Sequence, residues 1–317
     1  MKKLALIIAV ILISSAVSAQ EKATVYMTTD ITPEALVGIY EALGVKAEGN
    51  VAVKISTGEP GGHNFLQPAL IGKLVKHVNG TIVECNTAYG GKRATFEQHW
   101  QTVRDHGFLD IAKVDLMDEE GEFSIPVKDS THIKCDIVGT HMKNYDFMVN
   151  LAHFKGHTMG GFGGVLKNQS IGVASANGKA NIHTAGRTQK TSGMWGGRVN
   201  QDFFLESMAS AAQAVHDYFK AKKGIIYINV MNNLSVDCDC DSHPHDPEMK
   251  DIGILASTDP VALDQACIDL VFNYPSKEGD NAAALIERIN SRHGVHTVEH
   301  AEKIGLGTRQ YNLVKLK

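Results

Sequence analysis

Residues 51–85, VAVKISTGEPGGHNFLQPALIGKLVKHVNGTIVEC, contain two kinds of hydrophobic pattern. Residues 51–56 and 81–85 are short, mostly apolar runs rich in β-branched side chains, and such runs predict strands. Residues 68–78 carry an apolar stripe at helical spacing, which predicts a helix between the two strands. Strand, helix and strand in so short a span form a βαβ unit, so we expect an α/β fold with a mainly parallel sheet and flanking helices.

Similar patterns continue along the chain. Apolar runs predict further strands at residues 146–151, 224–230 and 252–256. Helical spacing predicts further helices at residues 95–106, 203–222, 260–271 and 281–293. Asp259 and Pro260 have the residue types expected at the cap and at the first position of the third of these helices.

Residues 156–197 break this pattern because glycine is dense there and no period is visible, so we expect no regular secondary structure in them. A stretch of that length without regular structure is uncommon in a compact domain unless it serves a site. It follows a predicted strand, and α/β sheets bind ligands at the carboxyl ends of their strands. The sequence therefore predicts a crevice at that edge of the sheet.

Residues 1–19 have the three-part pattern of a secretory signal peptide. A basic head, MKK, precedes the apolar residues 4–13, and residues 17–19 (VSA) end the segment on small side chains. The apolar run is too short to span a bilayer. We therefore expect an exported protein, periplasmic or extracellular, in which residues 20–317 form either one α/β domain or two lobes, 20–223 and 224–317.

The composition favours a small-molecule partner. The formal net charge is −4 and charged residues make up 21% of the chain, with no basic run that would suggest nucleic acid or an anionic membrane surface.

Five cysteines are an odd number, so at least one has no disulfide partner. Cys238 and Cys240 are too close in sequence for an unstrained mutual disulfide, and we expect Cys85, Cys135 and Cys267 to be buried and inert.

Residues 153–168, HFKGHTMGGFGGVLKN, contain the first candidate site. His153 and His157 could share a helix face and bind a metal, although the glycines that follow shorten any such helix. Alternatively, the glycines let backbone N–H groups approach an anion or a flat cofactor closely. The cofactor-binding candidates are Gly160, Gly161, Gly163, Gly164, Lys167 and Asn168. The segment matches neither a Walker loop nor a dinucleotide fingerprint.

Residues 236–246, VDCDCDSHPHD, contain the second candidate site. The donor atoms of Cys238, Cys240 and His243 suit zinc, copper or iron. The alternative is an acidic loop whose aspartates cap turns. His63 follows the first predicted strand and could face the same crevice.

Three stretches resemble the uncharacterised iron–sulfur-centre family known as domain of unknown function 362: HFKGHTMGGFGGVLKNQSIG, VDCDCDSHPHDPEMKDIGILASTDPVALDQACIDLV and VAVKISTGEPGGHN. The resemblance covers nearly all of residues 20–317. Many members carry a ferredoxin-like insert with Cys-x-x-Cys ligands. This chain has no Cys-x-x-Cys, so we expect no ferredoxin-type iron–sulfur cluster.

A more distant resemblance is to nickel-pincer lactate racemases. His157 precedes Lys167 by ten residues, and Lys167 precedes His183 by sixteen, as in that family. The resemblance implies that Lys167 would tether the cofactor, that His183 would ligate nickel, and that His157 would be a general acid or base in the racemisation of a 2-hydroxy acid.

The chain departs from the racemase pattern at several points. In GGKRATFEQ, Lys92 stands where that family has its second catalytic histidine, and STGEPGG lacks the arginine expected to hold a substrate carboxylate. A predicted signal without twin arginines also fits poorly with a bulky cofactor inserted before export. We therefore expect a shared scaffold with different chemistry.

Our leading hypothesis is a crevice lined by His157, Lys167, Asn168 and His183 that binds a metal ion or metal-containing cofactor and acts on a small polar metabolite. In it, His183 is a ligand, His157 a ligand or general base, and Lys167 an amine with a lowered pKa, with Lys92 opposite.

The alternative hypothesis is a non-catalytic metal-binding or redox accessory protein that uses residues 238–245. A third is a glycine loop that binds an anionic metabolite without any metal.

Overall fold

The computed structural model describes residues 22–316, and the predicted signal peptide lies outside them. The strands are β1 (Ala23–Thr28), β2 (Val51–Lys54), β3 (Gly80–Glu84), β4 (Val114–Leu116), β5 (Glu122–Pro126), β6 (Cys135–Gly139), β7 (Phe147–His153), β8 (Lys155–His157), β9 (Gly161–Gly163), β10 (Gly224–Met231), β11 (Gly253–Ser257) and β12 (Tyr311–Lys315). The helices are α1 (Pro33–Ala42), α2 (Pro68–His77), α3 (Phe96–Asp105), α4 (Val165–Gln169), α5 (Ala176–His183), α6 (Gln201–Lys220), α7 (Pro260–Phe272), α8 (Ala283–Ser291) and α9 (His296–Lys303).

The main sheet has the order β12-β1-β11-β10-β7-β2-β3-β4. β11 runs antiparallel to both of its neighbours, and the other neighbouring pairs in this sheet are parallel. The prediction of a mainly parallel α/β sheet is confirmed. This one sheet takes strands from residues 20–223 and from residues 224–317.

Alternation along β10 shows why the sheet is buried on both faces. Ile226 and Ile228 pack into a core with α1 and α2, whereas Ile225 and Tyr227 pack on the opposite face with α6 and α7. Successive side chains of a strand point to opposite faces, so β10 contributes to both cores at once. None of the helices in residues 22–316 combines the length and the apolar character needed to cross a membrane.

Local sequence accounts for where several helices begin. Asp259 caps α7 by accepting hydrogen bonds from the backbone N–H groups of Val261 and Ala262, both at 2.9 Å, and Pro260 is the first helical residue. This cap was predicted from the residue types. The hydroxyls of Thr32 and Ser175 cap α1 and α5 in the same way.

The prediction that residues 156–197 lack regular structure is wrong. The segment contains β9, α4 and α5, and β8 begins just before it. These elements are short, and their glycines hide any hydrophobic period. The glycines are needed for close backbone packing: a Cβ atom at Gly156 would lie 2.1 Å from the carbonyl oxygen of Val236, and one at Gly178 would lie 2.0 Å from that of Ile137.

Asp264 fixes the position of α4 against α7. Its carboxylate is fully buried and accepts hydrogen bonds from the backbone N–H groups of Val165 (2.9 Å) and Leu166 (3.0 Å) and from the side chain of Asn229 (2.7 Å). Burial raises the pKa of Asp264 to about 6, against the opposing effect of these bonds. Because α4 carries Lys167 and Asn168, Asp264 sets the position of two candidate site residues.

We expect Asp264→Ala to lower the free energy of unfolding by about 3 kcal/mol or more, because it leaves several buried donors without an acceptor. Urea denaturation followed by circular dichroism measures this change. Asp30→Ala removes an exposed aspartate and should have little effect. A loss of stability in Asp264→Ala no larger than in Asp30→Ala would contradict the role assigned to Asp264.

Candidate functional site

The candidate site lies where neighbouring parallel strands end. Lys54 is the last residue of β2, Glu84 of β3 and His153 of β7, and these strands are adjacent in the sheet. A cavity of about 50 Å³ opens there, and its lining includes Lys54, Glu84, Tyr89, Arg93, His157, Lys167, Asn168, Lys179, His183 and Cys240. A wider cavity of about 450 Å³ lies at the opposite edge, where β2 and β3 begin. The predicted histidines and one predicted thiol line the cavity at the carboxyl edge, so we take this cavity as the candidate site, as expected for an α/β sheet.

Glu84 is the centre of a buried charge network. Its carboxylate lies 3.2 Å from the amine of Lys54 and 3.3 Å from the guanidinium of Arg93. It also accepts hydrogen bonds from the backbone N–H groups of Thr57 and Cys85, both at 3.1 Å. Burial alone raises the pKa of Glu84, but Lys54 and Arg93 outweigh burial and lower it to about 2. Glu84 is therefore ionised and holds both cations in place.

Asn168 connects α4 to this network. It donates to the carbonyl oxygen of Lys54 (3.0 Å) and to the side chain of Asn150 (2.7 Å), and its own amide oxygen lies 3.2 Å from the Lys54 amine. Asn168 was predicted to bind a cofactor. It does line the cavity, but its amide atoms are engaged in positioning Lys54.

Of the two thiols predicted to bind a metal, Cys240 lines this same cavity and Cys238 lies directly beside it. The sulfur atoms of Cys238 and Cys240 are 2.8 Å apart, and a ligand atom of His157 lies within 4.8 Å of both. The hydrogen bond from Cys238 and, after it, the charge of Lys167 hold the pKa of Cys240 well below its usual value, against the effect of burial. The glycine-rich segment and the cysteine loop, which the sequence presents as two candidate sites, thus form one.

Asp239, between the two cysteines, anchors their loop. Its carboxylate is buried and lies 2.7 Å from Nδ1 of His153 and 2.6 Å from the amine of Lys155. These contacts hold its pKa far below the usual range although burial opposes them. His153 therefore serves to fix the cysteine loop to the end of β7, and it takes no place among the metal donors at this site.

His157 is oriented by the backbone that follows it. Its Nδ1 accepts hydrogen bonds from the N–H groups of Met159 (3.2 Å) and Gly160 (2.9 Å). The neutral ring therefore carries its proton on Nε2 and can donate it to the sulfur of Cys240. Burial, and after it the charge of Lys167, lower the pKa of His157. In this orientation His157 supports a thiolate, and ligation of a metal through Nε2 would require that nitrogen to lose its proton.

The predicted lowered pKa of Lys167 is wrong. Burial acts in that direction, but the charge of Cys240 outweighs it and raises the pKa. The lysine whose pKa is lowered is Lys54, which is fully buried at the end of β2. Lys167 is therefore a permanent cation in the cavity.

His183 lies on α5, on another wall of the cavity. Its Nδ1 lies 2.8 Å from the carbonyl oxygen of Lys179, so Nδ1 carries the proton and Nε2 has a free lone pair. Burial lowers the pKa of His183 to about 4. Its ring stacks on Phe204 of α6, with the centroids 5.0 Å apart. His183 has the state expected of a ligand or base, but it lies outside the close donor group of the two cysteines and His157.

Several predicted residues lie elsewhere. Lys92 is exposed, and its neighbour Arg93 lines the cavity instead, because the chain turns so that only the second of the two side chains points inward. His243 and Asp246 are exposed, and His243 contacts Ser242 instead of the thiols. His63 is on the surface, 3.2 Å from Asp246.

Two of the four glycines predicted to bind a cofactor, Gly161 and Gly164, are needed for close packing. A Cβ atom at Gly164 would lie 2.3 Å from Asp264, and one at Gly161 would lie 2.9 Å from Gly294. Gly163 and Gly164 border only a small recess beside Lys155, and Gly160 lies against His157. The main cavity is lined by Gly172 instead.

The prediction for the remaining cysteines holds for two of them. Cys85 and Cys267 are buried, and burial raises the pKa of both thiols. Cys135 is partly exposed. Cys85 also lines the cavity, where its thiol donates to the carbonyl oxygen of Val173.

Lys54, Glu84, Arg93 and Lys179 were not predicted from the sequence. The signal in the sequence that could have identified two of them is a charged residue at the end of an apolar strand. These residues are Lys54 in VAVK and Glu84 in TIVE. A charge at the carboxyl end of a buried parallel strand is a position from which ligands are bound. Lys179 lies in α5, in the segment expected to have no regular structure.

The fold and the site together define an α/β protein with a polar, cation-rich cavity at the carboxyl edge of its sheet. The family model described as "Domain of unknown function (DUF362)" matches residues 51–269, and the chain belongs to this family. No curated protein matches the chain.

Two solved structures are similar to it. The lactate racemase apoprotein from Thermoanaerobacterium thermosaccharolyticum has 16% sequence identity and a TM-score of 0.43, and the match covers 78% of this chain and 56% of the racemase. A protein from Thermotoga maritima has 10% identity and a TM-score of 0.42, with 86% and 58% covered. The chain thus spans a little over half the length of the two structures.

We expect His183 to make a contribution to the free energy of unfolding that is lost as the pH is lowered from about 6.5 to about 4. The folded pKa of His183 is below the unfolded value, so in this window the unfolded chain binds more protons than the folded one. Each such histidine contributes at most about 1.4 kcal/mol per pH unit. Burial lowers the pKa of His99 and of the partly buried His216, which act in the same direction, whereas Asp264, whose pKa is raised to about 6, acts in the opposite direction.

His183→Gln should remove the contribution of His183 to the change of the free energy of unfolding with pH. His63→Gln, at an exposed position, should leave the pH dependence unchanged. Urea denaturation at intervals between pH 4 and 7 measures the slope. An identical slope for His183→Gln and the unmodified protein would contradict the burial of a neutral His183.

Proposed function

We propose that this protein binds a transition-metal ion through Cys238 and Cys240 and acts on a small anionic metabolite held in the adjoining cavity. The observation that carries the proposal is the close pair of thiols, with His157 beside them. The pair lies beside a cavity whose lining contains more cations than carboxylates. The export predicted from residues 1–19 is part of the proposal.

The donor set fits a thiophilic metal. Two sulfur atoms suit zinc, copper(I) or nickel better than magnesium or calcium, which prefer oxygen. The charge of Lys167 and the Nε2 proton of His157 both stabilise a thiolate at Cys240, the form that binds metals. A bound ion of this kind would supply Lewis acidity to a ligand in the cavity.

The cations of the cavity favour an anionic ligand. Lys54 and Arg93 are paired with Glu84, but Lys167 and Lys179 have no carboxylate partner among residues 22–316. Lys179 is buried, and its amine contacts only the carbonyl oxygen of Ala174 at 2.6 Å. A buried ammonium group without a carboxylate partner, like that of Lys179, is costly unless an anion accompanies it. A carboxylate or phosphate group of a small metabolite would provide that charge.

The same geometry assigns roles to the remaining side chains. Lys167 and Lys179 would bind the anionic group, and His183, with its free Nε2 lone pair, could accept a proton from the bound molecule. Lys54, with its lowered pKa, is held by Glu84 and Asn168 in a position facing the same space. Glu84 positions the two cations and is itself buried behind them.

We expect the metal-free protein to take up Co²⁺ with a sulfur-to-metal charge-transfer absorption, and we expect Cys238→Ser/Cys240→Ser to lose it. Cys135→Ser changes a partly exposed thiol outside the cavity and should retain it. His157→Gln should weaken binding by about 10- to 100-fold, the usual effect of losing a group that supports a ligand. Absence of this absorption in the unmodified protein, or its persistence in the double variant, would contradict the metal site.

We expect phosphate or malonate, used as anionic probes, to raise the melting temperature, whereas glycerol should not. Lys179→Met and Lys167→Met should each weaken the binding of these anions by about tenfold or more, because a hydrogen bond to a charged group is lost. Lys73→Met alters an exposed lysine paired with Glu34 and serves as the control. Equal anion binding by Lys179→Met, Lys167→Met and the unmodified protein would rule out the anion site.

The short distance between the thiols also favours a second candidate function, a dithiol redox site. Oxidation of Cys238 and Cys240 by glutathione disulfide would form one S–S bond and release two glutathione thiols, with Lys167 and His157 favouring the attacking thiolate at Cys240. Mass spectrometry of the metal-free protein in a glutathione buffer separates the two functions. A Cys238–Cys240 disulfide without metal uptake favours the redox site, whereas metal uptake with both thiols reduced favours the metal site.

A further inference from the structure

A second group of ligand atoms lies between α6 and α9. Glu206 of α6 faces His296 and His300 of α9, and their ligand atoms lie within 4.8 Å of one another. The sequence of α9 begins HTVEH, so its two histidines are one helical turn apart and share a face. This cluster is separate from the cavity, because Phe204 of α6 packs on His183 while Glu206 points to α9.

His300 has an unsatisfied buried nitrogen. Its side chain is 5% exposed, and its Nε2 lies 2.8 Å from the carboxylate of Asp129. Asp129 also accepts hydrogen bonds from the hydroxyls of Thr131 and Ser210, so it acts as an acceptor toward His300 as well, and Nε2 carries the proton. In the neutral ring the lone pair is then on Nδ1, which has no hydrogen-bond partner among the described residues.

This lone pair points at the other two ligand atoms. Nδ1 of His300 lies 3.5 Å from Oε1 of Glu206, and Nε2 of His296 lies 3.0 Å from the same oxygen. The other oxygen of Glu206 is held at 2.6 Å by Nε2 of His132. Two imidazole nitrogens and one carboxylate oxygen therefore lie close together. The remaining oxygen of Glu206 is held by His132, and the remaining nitrogen of His300 is held by Asp129.

The supporting residues come from one short segment. Asp129 and His132 lie in the connection between β5 and β6, and Asp129 is itself fixed by hydrogen bonds from Thr131 and Ser210. A carboxylate that orients a ligating histidine through its other nitrogen is the usual arrangement around protein-bound metals. Most buried polar atoms have a hydrogen-bond partner, and the unpartnered Nδ1 of His300 is what a network that only joined α6 to α9 would not explain.

We propose that Glu206, His296 and His300 bind a divalent transition-metal ion such as Zn²⁺. Two imidazoles and one carboxylate are a known ligand set for zinc and for iron(II), and three protein ligands leave coordination positions for water or a small ligand. His296 and Glu206 are about one fifth exposed, so the site opens to solvent. This site is independent of the thiol site and of the function proposed for the cavity.

Titration of the metal-free protein with Co²⁺ tests the proposal, since the two sites differ in their absorption. The nitrogen and oxygen site gives weak d–d bands without sulfur charge transfer, and these bands should persist in Cys238→Ser/Cys240→Ser. His300→Ala should weaken Co²⁺ and Zn²⁺ binding at this site by more than about 100-fold. Asp129→Asn should weaken it by about 10- to 100-fold, as expected for a residue that orients a ligand.

His141→Ala is the matched control, because His141 is also partly buried and contacts two carboxylates, Asp115 and Glu120, outside the cluster. It should bind Co²⁺ like the unmodified protein. Glu206→Gln preserves side-chain size and provides the test if His300→Ala does not fold; it too should lose the d–d bands. Absence of these bands in the Cys238→Ser/Cys240→Ser protein, or unchanged bands after His300→Ala or Glu206→Gln, would overturn the proposal.

Discussion

The buried carboxylate of Glu84 is the interaction on which the arrangement of the site depends. It ends β3, neutralises Lys54 at the end of β2, and holds Arg93 from the loop that follows β3. Removing such a partner leaves buried cations uncompensated, a cost of several kcal/mol. Lys54 in turn contacts Asn168, so α4 and Lys167 are positioned through the same carboxylate. A sheet edge that would otherwise carry isolated charges becomes a fixed wall of the cavity.

A second buried carboxylate, that of Asp239, fixes the position of the thiols. It joins His153 and Lys155 at the end of β7 to the loop that carries Cys238 and Cys240. Backbone hydrogen bonds from Gly156 to Ser235 and from Glu59 to Asp239 fix the same loop. The two sulfur atoms are therefore held by rigid parts of the fold, as an effective binding or catalytic site requires.

The sequence was sufficient for the fold class, and it identified several of the residues that line the cavity. Hydrophobic period predicted β2, α2 and β3 closely, and residue types predicted the cap of α7. His157, Lys167 and His183 were chosen because their spacing resembles that of a known family, and the structure places all three around one cavity. What sequence could not give is long-range pairing: nothing local shows that Cys240 meets His157, or that Arg93 points inward while Lys92 does not. The histidines of α9 escaped notice because their third partner, Glu206, is about 90 residues away in sequence.

Lys167 and Lys179 lie within a chain whose formal net charge is −4. Their local field is opposite in sign to the field of the molecule as a whole. A small anion, the ligand proposed for the cavity, would be repelled by the net charge of the molecule and attracted by these two lysines, an arrangement that would steer its diffusion. Dissolved salt screens such effects over about 10 Å at 0.1 M ionic strength, so the rate at which such an anion entered would depend on the medium as well as on the cavity.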